Sequence, residues 1–353
     1  MLKSSLPLYL LFSLLAFAAA PGHSQSNFPG SKVSLVSEEF VYETAPFPSC
    51  HASTLVEVAP GQWLSSWFGG TDEGNKDVGI WLSQNKNGKW TPPKLMAEGV
   101  IDANTRYPCW NPVLFKSQEG KVFLFYKVGP SPREWWGMLR TSTDNGNTWS
   151  QPERLPEGVL GPIKNKPVQL ADGTILSPSS TETRESWKAH IERSVDSGKT
   201  WEILAIDPKT EYDVIQGSVL TYPNQKLQML CRTKQDRIAA VWSEDNGKTW
   251  GDFTLTNLPN PNSGTDAVTL SNGWQMLVHN PVTRGKQSDN GRQKLVVSLS
   301  EDGKKWKEMY VLEDQYRGEF SYPAIVQAAD GTAHITYTWN RKKIRHVVLK
   351  LEK

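Results

Sequence analysis

The sequence has few cysteines and, beyond its first 25 residues, no long apolar run. Its three cysteines, Cys50, Cys109 and Cys231, leave at least one thiol unpaired, which excludes a disulfide framework. They have no CxxC spacing and so form no zinc motif. We expect them to be small, buried side chains. No motif requires a metal or an organic cofactor.

The chain also lacks an excess of charge of either sign. Its 39 basic and 37 acidic residues leave a net charge of +2, which excludes strong electrostatic attraction to nucleic acid or to an anionic membrane. Glycine and proline are plentiful, with 27 and 23 residues, and favour turns over long helices. The 15 tryptophans suit both β-structure and stacking on sugar rings.

The N-terminal segment has the layout of a secretory signal. Lys3 precedes the apolar run Leu6–Ala20, and small polar residues follow it. This predicts a signal peptide over residues 1–26, cleaved near Ala20 or Ser24. A membrane anchor is the alternative, but the run is shorter than a membrane span requires.

The remainder, residues 27–353, is predicted to be a single domain. The pattern S-x-D-x-G-x-T-W, here called the Asp box, occurs three times in it. In each box the Asp side chain can accept backbone N–H bonds, the Gly takes a positive φ, and the Trp packs between neighbouring units. The full copies are Ser142–Trp149, Ser194–Trp201 and Ser243–Trp250, and Ser83–Trp90 and Ser300–Trp306 are decayed copies. The five box tryptophans are 49 to 59 residues apart, a period that fits a four-stranded unit.

A second repeat gives the number of four-stranded units in the domain. Six pairs of apolar strands are each joined by a short turn, centred on Gly61, Gly120, Gly173, Asn224, Gly273 and Gly331. A box follows the first five hairpins, whereas only one more strand can follow the sixth. We therefore expect the outermost strand of the last sheet to come from residues 32–42. This predicts an all-β, six-bladed propeller closed by both ends of the chain. A β-sandwich is the alternative, but it does not explain the regular spacing.

Polar side chains cluster just before each inner strand, where a propeller gathers its loops on one face. Aligning the segments predicts one level made of His51, Trp110, Asn165, Gln216, Thr265 and Ser321. A second level holds Asn111, Lys166, Asp266 and Tyr322. These groups predict a ligand site at the mouth of the ring, and a solvated channel is the alternative.

The Asp boxes and the six repeats resemble those of the sialidase (neuraminidase) superfamily, and the likeness covers the whole predicted domain. In that family the boxes are peripheral turns and not catalytic residues, so they identify the fold rather than the reaction.

The resemblance implies a site that clamps a substrate carboxylate. Arg232 matches the family's second arginine, and Arg292 resembles the third, with Arg284 as its competitor. Tyr322 falls where the family has its nucleophile. Two converging guanidiniums would select an acidic sugar over a neutral one.

The same comparison shows where this sequence departs from the family. Gln216 stands sixteen residues before Arg232, where the family has the Glu that activates the tyrosine, and an amide cannot take a proton. The first arginine has no counterpart, and His51 is nearest to its position. His51 can act as base, acid or neutral donor.

The proton donor and the sugar-contacting residues are left open by the sequence. The loop after the first hairpin offers Asp72, Glu73 and Asp77 as acids. Residues 127–137, with Arg133, Trp135 and Trp136, are predicted to form a lid or sugar platform, or else to pack between blades. Lys164 and Lys166 are predicted either to bind an anion or to be solvated. The proposed substrate contacts are Arg232, Arg292, Trp110, Asn111, Lys166, Asp266, Trp135 and Trp136.

Together these patterns predict a secreted or periplasmic, monomeric glycosidase that acts on a terminal acidic sugar of a glycan. One alternative is an enzyme for uronate-containing glycans, either a rhamnosyl-uronate hydrolase or a lyase that eliminates across C4 and C5. The other is a carbohydrate-binding propeller without turnover.

Overall fold

The computed structural model describes residues 31–206, 211–284 and 290–352, together with Met1 and Lys209. The predicted signal peptide, apart from Met1, lies outside the described residues. All regular secondary structure in the described part is β-strand. It contains no helix that could cross a membrane.

The first three sheets in chain order are built from consecutive strands. Blade 1 contains β2 (Ser49–Ala59), β3 (Gln62–Gly70), β4 (Gly79–Lys86) and β5 (Lys89–Trp90), with β6 (Lys94–Ala97) also paired to β4. Blade 2 contains β7 (Cys109–Lys116), β8 (Val122–Val128), β9 (Trp136–Ser142) and β10 (Glu153–Arg154). Blade 3 contains β11 (Val168–Gln169), β12 (Ile175–Glu182), β13 (Trp187–Ser194) and β14 (Glu202–Ala205).

The other three sheets complete the ring, and the last one combines strands from both ends of the described chain. Blade 4 contains β15 (Val214–Thr221), β16 (Leu227–Thr233), β17 (Arg237–Ser243) and β18 (Thr254–Pro259). Blade 5 contains β19 (Asp266–Thr269), β20 (Gln275–His279), β21 (Lys294–Ser300) and β22 (Lys307–Asp314). Blade 6 contains β23 (Phe320–Gln327), β24 (Ala333–Trp339), β25 (Lys343–Glu352) and β1 (Lys32–Phe40).

The six-bladed propeller predicted from the repeats is confirmed. Each of the six predicted hairpins joins the first two strands of one blade. The N-terminal strand β1 pairs antiparallel with β25, as expected for the outermost strand of the last blade. The two ends of the described chain therefore close the ring, which leaves only short sheet edges exposed.

The full Asp boxes form the turn between the third and fourth strands of blades 2, 3 and 4. In the first of them, Thr148 donates its N–H and its hydroxyl to Asp144, and Gly146 N–H donates to Ser142 Oγ over 2.9 Å. The bonds from Thr148 lower the pKa of Asp144 to about 2. The Trp149 indole N–H donates to the Gly146 carbonyl over 3.0 Å. The boxes are structural turns at the rim of the propeller.

Each pair of neighbouring blades buries an apolar layer between its sheets. The largest cluster joins blades 1 and 2 and includes Phe68, Leu114 and Tyr126. Blades 1 and 6 meet through two smaller clusters. One contains Leu55, Trp63, Ala324 and Ala328, and the other includes Cys50 and Trp67 of blade 1 and Ile344 of blade 6.

The three cysteines are free and buried, as the sequence predicts. Burial raises the pKa of the Cys50 and Cys109 thiols to about 12, and that of Cys231 is raised as well. A thiol of this kind stays protonated and unreactive at neutral pH, so these residues fill the core.

A histidine pair adds polar contacts where blade 1 meets blade 6. In blade 6, His346 Nδ1 lies 3.2 Å from Glu39 Oε1, and His346 Nε2 lies 3.0 Å from His334 Nδ1. Trp63 of blade 1 stacks on the His334 ring with centroids 3.9 Å apart. Trp90, also of blade 1, donates its indole N–H to Glu39. This cluster ties blade 1 to the strand pair β1 and β25.

The closure should weaken in acid. Burial, and then the neighbouring His346, lowers the pKa of His334 to about 3, whereas a histidine in the unfolded chain titrates near about 6.5. The unfolded state therefore binds more protons between these values, and stability falls as the pH drops from about 6.5 towards 3. A His334→Gln variant should flatten the pH dependence of the unfolding free energy by up to about 1.4 kcal/mol per pH unit. Denaturant titrations from pH 7 to pH 4 measure this slope.

The control is Leu55→Val, which weakens an apolar cluster of the same interface without removing a titrating group. It should lower stability by a similar amount at every pH. Equal slopes for the wild type and His334→Gln would contradict the assignment.

Candidate functional site

The inner strands of four blades carry the same irregularity at the mouth of the ring. Each has a register shift against its neighbour, at His51/Thr54, Trp110/Val113, Ile215/Ser218 and Ser321/Ala324. At each shift one non-glycine residue adopts a positive φ: Ala52 at 55°, Asn111 at 27°, Gln216 at 58° and Tyr322 at 52°. Such residues are strained and persist only where their surroundings hold them. The repeated bulge aims backbone and side chains into the mouth.

This bulge corrects one detail of the alignment made from the sequence. The sequence alignment set Gln216 level with His51 and Ser321. The structure instead places Gln216 at the bulge position, which it shares with Asn111 and Tyr322. The Gln216 side chain consequently meets the same groups as the Tyr322 phenol.

Tyr322, Arg232 and Gln216 meet at the centre of the mouth. Arg232 Nη1 donates to the Tyr322 hydroxyl oxygen over 2.6 Å and to Gln216 Oε1 over 3.2 Å. Arg232 Nε donates to Asn262 Oδ1 over 2.9 Å. The guanidinium is thus fixed on its Nε and Nη1 sides.

Arg232 is buried without a counterion. It is 6% exposed, and within the described part of the chain no carboxylate lies within ion-pair distance of it. Its recorded hydrogen-bond partners are neutral oxygens. Burying a cation without an anionic partner is costly, so this guanidinium is set up to receive a negative group.

Two more arginines belong to the same network. Arg292 lies against the Tyr322 ring, and Arg341 shares the Glu319 carboxylate with Arg292. Arg292 places its guanidinium carbon 5.6 Å from the Tyr322 ring centroid and donates Nη1 to Glu319 Oε1 over 2.8 Å. Arg341 Nε donates to the same Glu319 oxygen over 2.9 Å, and its Nη1 reaches Glu73 Oε2. Burial opposes ionisation of Glu319, but Arg341 and Arg292 outweigh it and hold its pKa below the usual value. This network crosses blades 5, 6 and 1.

Arg284, the competitor of Arg292 in the sequence comparison, lies elsewhere. It is exposed, pairs with Asp236 at 3.3 Å and donates Nη2 to the Lys234 carbonyl. The geometry therefore brings Arg292, rather than Arg284, to the tyrosine.

His51 lies against Tyr322 with ring centroids 4.1 Å apart. Its Nδ1 is 2.9 Å from the Thr338 hydroxyl, and the ring is fully buried. Burial, and then the charges of Arg341, Arg292, Lys164 and Arg232, lowers its pKa well below the usual value. His51 is therefore a neutral imidazole at physiological pH.

The three candidate acids lie together on the exposed loop between β3 and β4. Asp77 Oδ2 accepts both the N–H and the hydroxyl of Thr71, and these bonds lower its pKa. Glu73 is held in its ion pair with Arg341. Asp72 Oδ1 accepts the Glu73 N–H over 2.9 Å, and no described group is bonded to its other oxygen. The loop packs over Trp110 at Gly74.

Lys166 and Asp266 lie in the axis and neutralise each other. Lys166 Nζ is 2.9 Å from Asp266 Oδ2, and Asp266 also accepts from the Ser218 hydroxyl and the Ile325 N–H. This pair links blades 3, 4, 5 and 6 beneath Tyr322. Its role in substrate binding stays a prediction.

Lys164 is neither solvated nor open to an anion. It is 3% exposed, and its Nζ donates to Asn165 Oδ1, to the Thr265 carbonyl and to the Pro323 carbonyl. Burial lowers its pKa to about 7. Both expectations from the sequence, anion binding and solvation, are therefore wrong for Lys164, which is hydrogen-bonded inside the protein.

The predicted aromatic platform divides into packed and partly open residues. Trp110 is buried, donates its N–H to the Gly129 carbonyl and contacts Trp135, which is also buried. Trp136 lines a cleft of about 340 Å³ between blades 2 and 3, together with Arg133 and Glu182. Asn111 is buried at its bulge. Trp135 also lines this cleft, but Trp136 is the more exposed of the two, and Trp110 does not line it.

The sequence did not point to Glu319, Arg341, Asn262, Thr338 or Glu182. Glu319 stands two residues before Ser321, so its position next to an inner strand was a usable signal. Arg341 sits in the turn between β24 and β25, where nothing in the sequence marks it. Burial raises the pKa of Glu182, and Arg232 is the strongest charge opposing this rise. In the described residues no group of three or more His, Cys, Asp or Glu is arranged to hold a metal ion.

The fold and this cup of arginines around a tyrosine define a sialidase-like β-propeller. The family described as "BNR repeat-like domain" matches residues 61–335. The chain belongs to this family, and it is a divergent member of the sialidase superfamily.

Individual relatives are distant. The anhydrosialidase of the leech Macrobdella decora is 25% identical over 248 residues, which cover 61% of this chain and 32% of the relative. The chain thus spans about a third of that relative's length. A solved protein of unknown function from Dyadobacter fermentans has a TM-score of 0.74 at 18% identity, over 92% of this chain and 100% of its own. The NanB sialidase from Streptococcus pneumoniae has a TM-score of 0.68 at 14% identity, over 88% and 70%. At these identities the structural likeness shows the fold.

His51 should remain neutral throughout the physiological range, because burial and four nearby cations disfavour its charged form. Nitrogen-15 NMR of the imidazoles, with His51→Gln to assign the signal, should show no titration of this ring between pH 8 and pH 5. A midpoint near the ordinary value of about 6.5 would contradict the described surroundings.

Proposed function

We propose that this protein is an exo-acting glycoside hydrolase that releases a terminal acidic sugar from a glycan, after export from the cytoplasm. The observation that carries the proposal is the buried Arg232, which has only neutral partners and touches Tyr322. The names of distant relatives, an anhydrosialidase and a sialidase, support the same substrate class.

A carboxylate on the sugar supplies the missing counter-charge. Arg232 Nη2 has no bonded partner among the described residues, and Arg292 lies on the same tyrosine ring. The open Nη2 can donate a charge-assisted hydrogen bond to a carboxylate oxygen, a partner that a neutral sugar does not have. The cup therefore favours an acidic sugar and sets its carboxylate beside Tyr322.

In the proposed first step the Tyr322 oxygen attacks the anomeric carbon, and the bond to the leaving oxygen breaks. Asp72 gives its proton to the leaving oxygen, and the phenol proton passes to solvent while Arg232 stabilises the Tyr322 oxygen. Gln216 cannot accept that proton, but it holds Arg232 in place. A phenol suits this site because attack beside a bound carboxylate does not bring in a second full negative charge.

In the second step water attacks the same carbon and the bond to Tyr322 breaks. The Asp72 carboxylate takes a proton from the water, and the Tyr322 phenolate regains a proton from solvent. The acidic sugar leaves with a new hydroxyl, and both side chains regain their starting states. Trp136, which lines the cleft, is the proposed contact for the next sugar.

The substrate class is tested by a screen of sialosides, uronate-capped oligosaccharides and rhamnosyl-uronate disaccharides. We expect the wild type to release an acidic monosaccharide. Arg232→Met should lower kcat/KM by about a hundredfold or more, and Tyr322→Phe should abolish turnover. Arg284→Met, a change to an exposed arginine paired with Asp236, is the matched control and should retain activity.

Three results would contradict the proposal. Release of an acidic sugar that survives both Arg232→Met and Tyr322→Phe would place the chemistry elsewhere. An unsaturated, ultraviolet-absorbing product would show a lyase. Glycan binding without any product, unaffected by Tyr322→Phe, would show a binding propeller.

The proton donor is tested by Asp72→Asn and Asp77→Asn. Because Asp77 is held ionised by Thr71, we expect Asp72→Asn to lower kcat about a hundredfold on a natural glycan, and Asp77→Asn far less. The Asp72→Asn loss should shrink on an aryl glycoside, whose leaving group needs little protonation. Equal losses on both substrates, or a larger loss for Asp77→Asn, would contradict this assignment.

A further inference from the structure

The segment before β11 contains two adjacent buried side chains, Lys164 and Asn165, which reach three other blades. We propose that they are positioning residues that hold Tyr322 and Gln216 in their left-handed conformations beneath the substrate. The proposal rests on the function proposed above, because it assigns those two residues to the reaction site.

Lys164 fixes the chain next to Tyr322. Its Nζ donates to the carbonyl of Pro323, the residue after Tyr322, over 2.6 Å. It also donates to the Thr265 carbonyl over 3.0 Å and to Asn165 Oδ1 over 2.8 Å. An ammonium has three N–H donors, and all three are used. Nζ lies 5.8 Å from the Tyr322 ring centroid, so its charge also faces the phenol.

Asn165 fixes the chain at Gln216 in the same way. Its Nδ2 donates to the carbonyl of Gln216 itself over 2.8 Å, while its Oδ1 accepts from Lys164. The pair thus forms one hydrogen-bonded unit that holds a carbonyl at or next to each strained residue. Both strained residues contact the same Arg232 nitrogen.

Lys164 is a buried residue and not a surface lysine that happens to reach these carbonyls. Lys164 is 3% exposed, and no described carboxylate lies within ion-pair distance of it. Its stem is also tightly enclosed, because a Cβ at Gly264 would lie 2.8 Å from Lys164 Cε. Burying an ammonium is costly, and here its three hydrogen bonds offset that cost. Two of those bonds go to backbone carbonyls, one of them in the chain next to Tyr322.

The test uses protein labelled with carbon-13 at the tyrosine Cζ, and Tyr322→Phe assigns the Tyr322 signal. Two variants break the clamp at different points: Lys164→Met removes all three lysine bonds, and Asn165→Leu, which adds no charge, removes the donor to Gln216 together with one of the acceptors of Lys164. The matched control is Lys116→Met, since Lys116 Nζ likewise donates to a carbonyl of a neighbouring inner strand, that of Val58, over 2.6 Å. Lys116 lies at the far end of the strands from Tyr322.

We expect both clamp variants to move the Tyr322 signal and to lower kcat about tenfold or more, with KM changed by less than about threefold. Lys116→Met should lower the unfolding midpoint without either effect. If Lys164→Met fails to fold, Asn165→Leu still decides the matter, because it keeps a similar volume and leaves Lys164 bonded to the Thr265 and Pro323 carbonyls.

Loss of stability with an unmoved Tyr322 signal and unchanged kcat would overturn the proposal and leave Lys164 a structural residue. If the wild type has no glycosidase activity, the proposed function fails, but the tyrosine signal still tests the clamp. An unmoved signal would then overturn the clamp as well.

Discussion

The site depends on one contact, in which a buried guanidinium without a counterion donates to the oxygen of a tyrosine. Arg232 is held by Gln216, Asn262 and Tyr322, all of which offer neutral oxygens. No described carboxylate lies within ion-pair distance of this charge, although Arg232 interacts with Glu182 at longer range. By contrast, Arg292 and Arg341 share carboxylates that largely neutralise them. In the proposed function Arg232 binds the substrate carboxylate, whereas the other two arginines are held by carboxylates of the protein.

Holding that contact requires the whole ring. Arg232 and Gln216 come from blade 4 and Tyr322 from blade 6, while His51 comes from blade 1. The side chains meet only because the inner strands bulge at the same level and the ring closes through β1 and β25. Lys164, Lys166 and Asp266 hold these blades together beneath the cup through carbonyls and one ion pair. If β1 did not pair with β25, the ring would open and the site residues of blades 1, 4 and 6 would separate.

The sequence predicts the architecture well because each blade repeats the same local chemistry. The Asp boxes and hairpin turns are set by neighbouring residues, so their spacing counts the blades and even assigns β1 to the last sheet. Tyr322 and Arg232 were found through resemblance, and they do meet. Contacts that depend on several blades could not be read in this way. Lys164 looked like a surface or anion-binding lysine because its carbonyl partners are about 100 and 160 residues away in the chain. Arg341 was missed since it lies in an unmarked turn, and the bulges shifted Gln216 by one position relative to its alignment.

In the proposed function Arg232 binds a substrate carboxylate beside Tyr322. A crystal structure with a bound acidic monosaccharide tests it most directly. We expect a carboxylate oxygen at about 2.8 Å from Arg232 Nη2, with Arg292 alongside and the anomeric carbon facing the Tyr322 oxygen. A sugar whose carboxylate points to solvent, or lies in the cleft at Trp136 while Arg232 keeps only its neutral partners, would contradict it.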